Sequence, residues 1–109
     1  MIGEKDLCAM FARLEADMLR EWIDAGLVQG ARQGSAISFD EADVARVRLI
    51  CELHYDLAVE EETLPLVLSL MDQLYDLRRS ARALASAIEE EPDEVRVRIS
   101  AGVVKRLKA

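Results

Sequence analysis

Helix breakers, aromatic residues and histidine are all scarce in this chain: 109 residues include two prolines, five glycines, five aromatics and a single histidine. So few breakers, beside 51% apolar residues, exclude a disordered or low-complexity segment and point to a largely helical globular protein. Only two cysteines are present, Cys8 and Cys51. Neither has metal-ligand spacing, and both fall at apolar positions of helical patterns, so buried free thiols are expected rather than a disulfide or a zinc site. The one histidine, His54, stands without ligand-spaced partners and is assigned no chemistry. No apolar run is long enough to span a bilayer. Glu4, Lys5 and Asp6 interrupt the opening residues where a leader would need an apolar core, so a cytoplasmic location is expected. A phosphate-binding glycine loop, a Ser-His-Asp set and metal motifs are all missing, so neither enzymatic activity nor a cofactor is expected.

Basic residues are also scarce where a nucleic-acid reader would need them. Residues 1–91 carry 9 Lys/Arg against 19 Asp/Glu, a net of −10, whereas residues 92–109 carry 5 against 2, a net of +3. Phosphate neutralisation supplies most of the affinity of a duplex-binding domain, and an acidic body opposes it. A basic partner is the better match.

Periodicity defines the elements that are present. In "EKDLCAMFA" the residues Leu7, Cys8, Met10 and Phe11 recur at helical spacing, and in "EADMLREWIDAGLV" Met18, Leu19, Trp22 and Ile23 do so before Gly26 ends the pattern. A turn near Arg13 and Leu14 separates the two helices. "QGARQGSAISF" reads as a small β-hairpin turning near Gly34, with Trp22 expected to plug the core beneath it. Asp40 is a plausible N-cap for a third helix, with Asp43 placed to complete a capping arrangement, and Val44, Val47, Ile50, Cys51 and Leu57 are assigned to one face. Leu57, Ala58 and Val59 close that helix.

A fourth helix opens at Thr63, with Pro65 tolerated in its first turn. Glu60, Glu61 and Glu62 precede it, where the helix dipole favours negative charge by roughly a few tenths of a kcal/mol each. Val67, Leu70, Leu74, Leu77, Ala81, Leu84 and Ile88 then step by three and four, a heptad seam that calls for a partner helix and so for a homodimer. Pro92 ends this helix. Beyond it Val95, Val97 and Ile99 alternate with Arg96 and Arg98, which reads as a short strand with one apolar and one basic face. The chain thus divides into residues 1–62, a helix–turn–helix with hairpin and third helix; residues 63–91, the long helix; and the basic segment 92–109.

Two stretches carry a resemblance. "LREWIDAGLVQGAR", Leu19–Arg32, resembles the segment leading into the wing of MerR-type winged helix-turn-helix proteins, although Glu21 stands where an aromatic residue commonly follows the Leu-Arg pair. "ELHYDLAVEEETLPLVLSLMDQLYDLRR", Glu52–Arg79, resembles the chaperone modulatory proteins of CbpM type, through Leu-x-x-Asp-Leu ending at Leu57, a short acidic linker and the "LPLVLSLMDQLYDLR" block. The resemblance implies a mainly α, MerR-like winged helix-turn-helix with a long C-terminal dimerisation helix. It also implies a function: inhibition of a DnaJ-like co-chaperone by binding its J domain, which meets Hsp70 through a basic helix.

A surface for a basic helix needs carboxylates. Glu52, Asp56, Glu60, Glu61 and Glu62 gather around the end of the third helix, and Asp72 and Asp76 lie at i and i+4 on the fourth. Each is also consistent with a solvated acidic face, and Tyr55 and Tyr75 beside them with amphipathic packing. The alternative is a MerR-type transcriptional regulator reading DNA through its second helix and wing. Residues 1–40 offer it only Lys5, Arg13, Arg20 and Arg32, with Asp17 and Asp24 on the same short helix as Arg20.

Overall fold

A computed structural model describes residues 1–109 and is mainly helical, with one small antiparallel sheet. It forms two compact units, Met1–Ser69 and Leu70–Ala109. In the first unit, β1 (Ile2–Gly3) leads into α1 (Glu4–Ala9), and α2 (Ala16–Asp24) follows a tight turn. Gly26, at φ 79°, stops α2: Leu27 N–H donates back to the Trp22 carbonyl at 2.9 Å and Gly26 N–H to that of Ile23 at 3.0 Å, a glycine-capped helix end.

The hairpin forms where the sequence places it. β2 (Ala31–Gln33) and β3 (Ala36–Phe39) pair antiparallel around Gly34, whose φ of 64° the tight turn requires. The period of two is visible on β3, where Ile37 and Phe39 are buried and Ser38 between them is half-exposed. The sheet has one strand more than the sequence reading gave. Ile2 and Gly3 pair with Phe39 and Ser38, giving the order β1-β3-β2, and two residues are too few to show an alternation.

α3 (Glu41–Cys51) starts on a complete capping box: Asp43 N–H donates to Asp40 Oδ1 at 2.8 Å, and Asp40 N–H to Asp43 Oδ2 at 3.1 Å. Asp43 Oδ1 also accepts from Gly30 N–H at 3.4 Å, tying the hairpin to the helix start. Of the face assigned to α3, Val47 and Ile50 are buried and Val44 and Cys51 half-buried, but Leu57 is 68% exposed. The cause is a π-helical segment, Glu52–Asp56, that continues α3 with one residue too many for an α-turn, so that Leu53 takes the core position instead.

α4 runs without interruption from Leu64 to Glu89. Thr63 holds the N-cap position, its carbonyl accepting from Val67 N–H at 3.1 Å. Leu64 and Leu68 are buried with Leu7, Leu19, Trp22, Phe39, Val47 and Ile50, and Val67 packs against that core, so the first unit extends to Ser69. Each such leucine contributes about 1.5–3 kcal/mol on burial.

The second unit holds the rest of α4 and α5 (Asp93–Leu107). The strand expected over Val95–Ile99 is a helix. Asp93 and Glu94 occupy its first turn, Lys105 and Arg106 its last, and these charges match the helix dipole at both ends. The alternation of valine with arginine extends over only five residues, and no strand lies beside it to complete a ladder. No residue from Leu70 to Ala109 is fully buried; along the seam Leu70, Leu77 and Leu84 are 57%, 67% and 64% exposed.

Ala58 closes the π segment in the left-handed region, at φ 56°. A Cβ is disfavoured there, so Ala58→Gly is expected to stabilise the fold by about 0.5–1 kcal/mol, read as a higher urea midpoint at unchanged slope.

Candidate functional site

The acidic stretch named from the sequence surrounds the joint between α3 and α4. Leu57 N–H reaches back five residues to the Glu52 carbonyl at 3.0 Å, and Val59 N–H reaches six back to that of Leu53 at 2.9 Å. His54 fastens the same joint. Its Nδ1 lies 2.8 Å from the Val59 carbonyl and its Nε2 3.9 Å from Glu61 Oε1, and its ring packs near those of Tyr55 and Trp22, with centroids 5.0 and 6.3 Å away. The histidine is a structural clasp, set by a backbone carbonyl and flanked by a carboxylate. Trp22 is only 3% exposed, and its indole N–H has no hydrogen-bond partner.

Around this joint the predicted residues separate. Glu52 and Asp56 line a hollow of about 330 Å³, whose far wall is the α1–α2 connection from Met10 to Leu14. Arg13 reaches across the hollow: its Nη1 donates to the Tyr55 carbonyl at 3.2 Å and lies 3.6 Å from Asp56 Oδ1, and its guanidinium sits 5.1 Å from the centre of the Tyr55 ring. Arg48 covers the Phe11 ring at 5.7 Å. Glu61 faces His54, whereas Glu60 serves the helix start, its carbonyl accepting from Thr63 and Leu64 N–H. Glu62 is exposed. Asp72 and Asp76 are exposed one turn apart on α4 within the second unit, as is Tyr75.

Arg13, Phe11, Met10 and Arg48 were not singled out as site residues from sequence. Arg48 shares a helical face with Glu52 and Tyr55, a spacing present in the sequence, whereas Met10, Phe11 and Arg13 come from the α1–α2 connection and reach the site only through the fold. Arg20 is occupied elsewhere, its Nη2 lying 3.3 Å from Glu4 Oε1.

Both cysteines are free, and both are half-buried rather than buried. Burial pushes the Cys51 thiol up to about 11, reinforced by the negative charges of Asp56 and Glu52. Burial also raises the Tyr55 phenol, with Arg13 opposing. Both groups hold their protons more tightly in the folded chain. The contribution of Cys51 is therefore complete below the ordinary thiol value of 9.0 and is lost as pH rises toward about 11. At pH 8 alkylation of Cys51 is expected to run about a hundredfold slower in the folded chain than in urea, because the thiolate fraction falls by that factor. Mass spectrometry of iodoacetamide-treated protein reads this directly.

No protein-family model, no curated protein and no solved structure matches this chain. No helix is long and apolar enough to cross a membrane.

Proposed function

We propose that this chain is a non-enzymatic modulator that binds the J domain of a DnaJ-like co-chaperone and obstructs its work with Hsp70, acting as a homodimer joined along the α4 seam. The observation that carries the reading is the concentration of exposed carboxylates at the joint, Glu52, Asp56, Glu60, Glu61 and Glu62, on a chain whose formal net charge is −7. The resemblance of Glu52–Arg79 to the CbpM-type modulators supports it. So does the exposed apolar seam of α4, which a second copy would cover.

Calorimetric titration with the J domain of the co-chaperone from the same organism tests the proposal. Replacing Glu60, Glu61 and Glu62 with glutamine is expected to slow association and flatten the salt dependence, while leaving stability nearly unchanged. An Asp72→Asn, Asp76→Asn variant is the matched comparison. Unchanged affinity in the triple variant would reduce the glutamate run to a helix-start signal.

The order helix, turn, helix, hairpin, helix favours a second reading, a MerR-type regulator that reads DNA. The charges on α2 weigh against it, since Asp17, Glu21 and Asp24 surround an arginine already paired with Glu4. Fluorescence anisotropy should show only feeble duplex binding that vanishes at physiological salt. Tight, sequence-selective binding there would favour the DNA reader.

A further inference from the structure

On one face of α3 and its π extension, Glu41, Ala45, Arg48 and Glu52 are exposed and Val44 and Tyr55 half-buried. Glu41, Val44, Ala45, Arg48, Glu52 and Tyr55 follow one another at helical spacing and line two hollows of about 470 and 330 Å³, which adjoin at Met10 and Arg48. The stripe is about 22 Å long at 1.5 Å per residue, the length of a four-turn helix. Its floor is apolar, and Met10 on its wall is 52% exposed. Charge is placed at the ends, with Asp40 and Glu41 at the first hollow and Glu52 and Asp56 at the second. Both arginines of the groove are engaged internally, Arg48 over Phe11 and Arg13, at the far end, with Asp56 and Tyr55.

The geometry points to this groove as the docking site for one amphipathic helix of a partner protein, apolar along the face that meets Met10, Val44 and Ala45 and carrying lysine or arginine toward each end. Charge complementarity selects that occupant: of the four carboxylates that line the groove, Asp40 caps α3 and Asp56 holds Arg13, but Glu41 at one end and Glu52 at the other have no cation beside them, and an acidic or uncharged helix would leave both unanswered. The Arg13 position shows what the far end accepts. A carboxylate, a backbone carbonyl and an aromatic face there already hold a guanidinium, and that ion pair is two-thirds solvent-exposed and readily exchanged. Arg13 is thus an internal stand-in that an incoming basic side chain displaces. The identity of the partner rests on the J-domain reading proposed above; the groove does not.

Two probes separate these claims: the J domain, and a synthetic amphipathic helical peptide of leucine and lysine, each titrated into the full-length isotope-labelled protein and followed by amide NMR shifts. Shifts at Val44, Ala45, Arg48 and Tyr55 are expected with both. Groove shifts with the peptide and none anywhere with the J domain would support the groove and overturn the J-domain reading. J-domain shifts confined to Glu60–Glu62, or a peptide that leaves the groove unmoved, would overturn the groove. Two exposed substitutions with little effect on folding complete the test. Ala45→Arg places bulk and like charge in the groove and should weaken whichever probe binds by about tenfold, and Arg13→Gln should tighten it about threefold by removing the competitor. An Arg13→Gln variant that binds more weakly, or Ala45→Arg with wild-type affinity, would sink the proposal.

Discussion

Replacing Leu74 and Leu77 together with glutamate is expected to leave a monomer at all concentrations where the wild-type chain is a dimer. The two side chains are 48% and 67% exposed in the single chain and lie at the middle of a seam that runs from Val67 to Ile88. Covering what is left exposed of them in both copies contributes on the order of 3–7 kcal/mol to association, scaled from about 1.5–3 kcal/mol for a fully buried side chain, which corresponds to at least two decades in dissociation constant. The positions flanking the seam include Met71, Ser80, Ala85 and Ala87, small or apolar residues over which a partner helix can approach closely. Sedimentation equilibrium at tens of micromolar, roughly, decides the matter. A wild-type chain that is monomeric there sinks the dimer, and Asp72→Asn with Asp76→Asn, on the outer face of the helix, should leave the dimer intact.

A comparable loss, of folding rather than of association, is expected from a single methyl group at Gly30. Its φ of 69° disfavours any side chain, and a Cβ there would stand 2.7 Å from Ile37 Cγ2 and 3.1 Å from Phe39 Cε1. Both neighbours are core residues of β3, so neither can swing away. Left-handed strain and overpacking together set a cost of about 2–4 kcal/mol, a large part of the stability of a small unit. Gly34 has a similar φ of 64° but open space around it, so Gly34→Ala should cost about 1 kcal/mol from backbone strain alone. Urea unfolding of the two variants separates the contributions. Equal midpoints would mean that the hairpin yields around Gly30 and that its packing is looser than the distances imply.

Elements whose information is local were legible in the sequence. The Asp40–Asp43 capping box, the turn at Gly34, the stop at Gly26 and the unbroken α4 all follow from side chains acting on the backbone within a few residues, and each stands where the pattern puts it. β1 was not legible because a two-residue strand exists only through its partner, Phe39 and Ser38. α5 was misread because Val-Arg-Val-Arg-Ile satisfies a period of two over a span too short to exclude 3.6, and the acidic start and basic end that mark it as a helix lie outside that span. At the candidate site the carboxylates were singled out by their clustering along the chain and by the basic partner that the resemblance implies. The arginine that faces Asp56 comes from the α1–α2 connection, more than forty residues earlier, and only the fold brings Arg13 to Tyr55.

The π-helical segment gives residue number, rather than residue type, control over the α3–α4 joint. The segment already holds one residue more than an α-turn, so deleting one position within Glu52–Asp56 would let it relax to the ordinary repeat with the residues after it still in phase, whereas one further inserted residue would swing them around the axis by about 100°. Tyr55 and Asp56 would then leave Arg13, and the backbone clasp between Leu53 and Val59 would lose its span. The aim of the joint can therefore be lost through a single inserted residue that changes no chemistry at all, and spared by a single deletion.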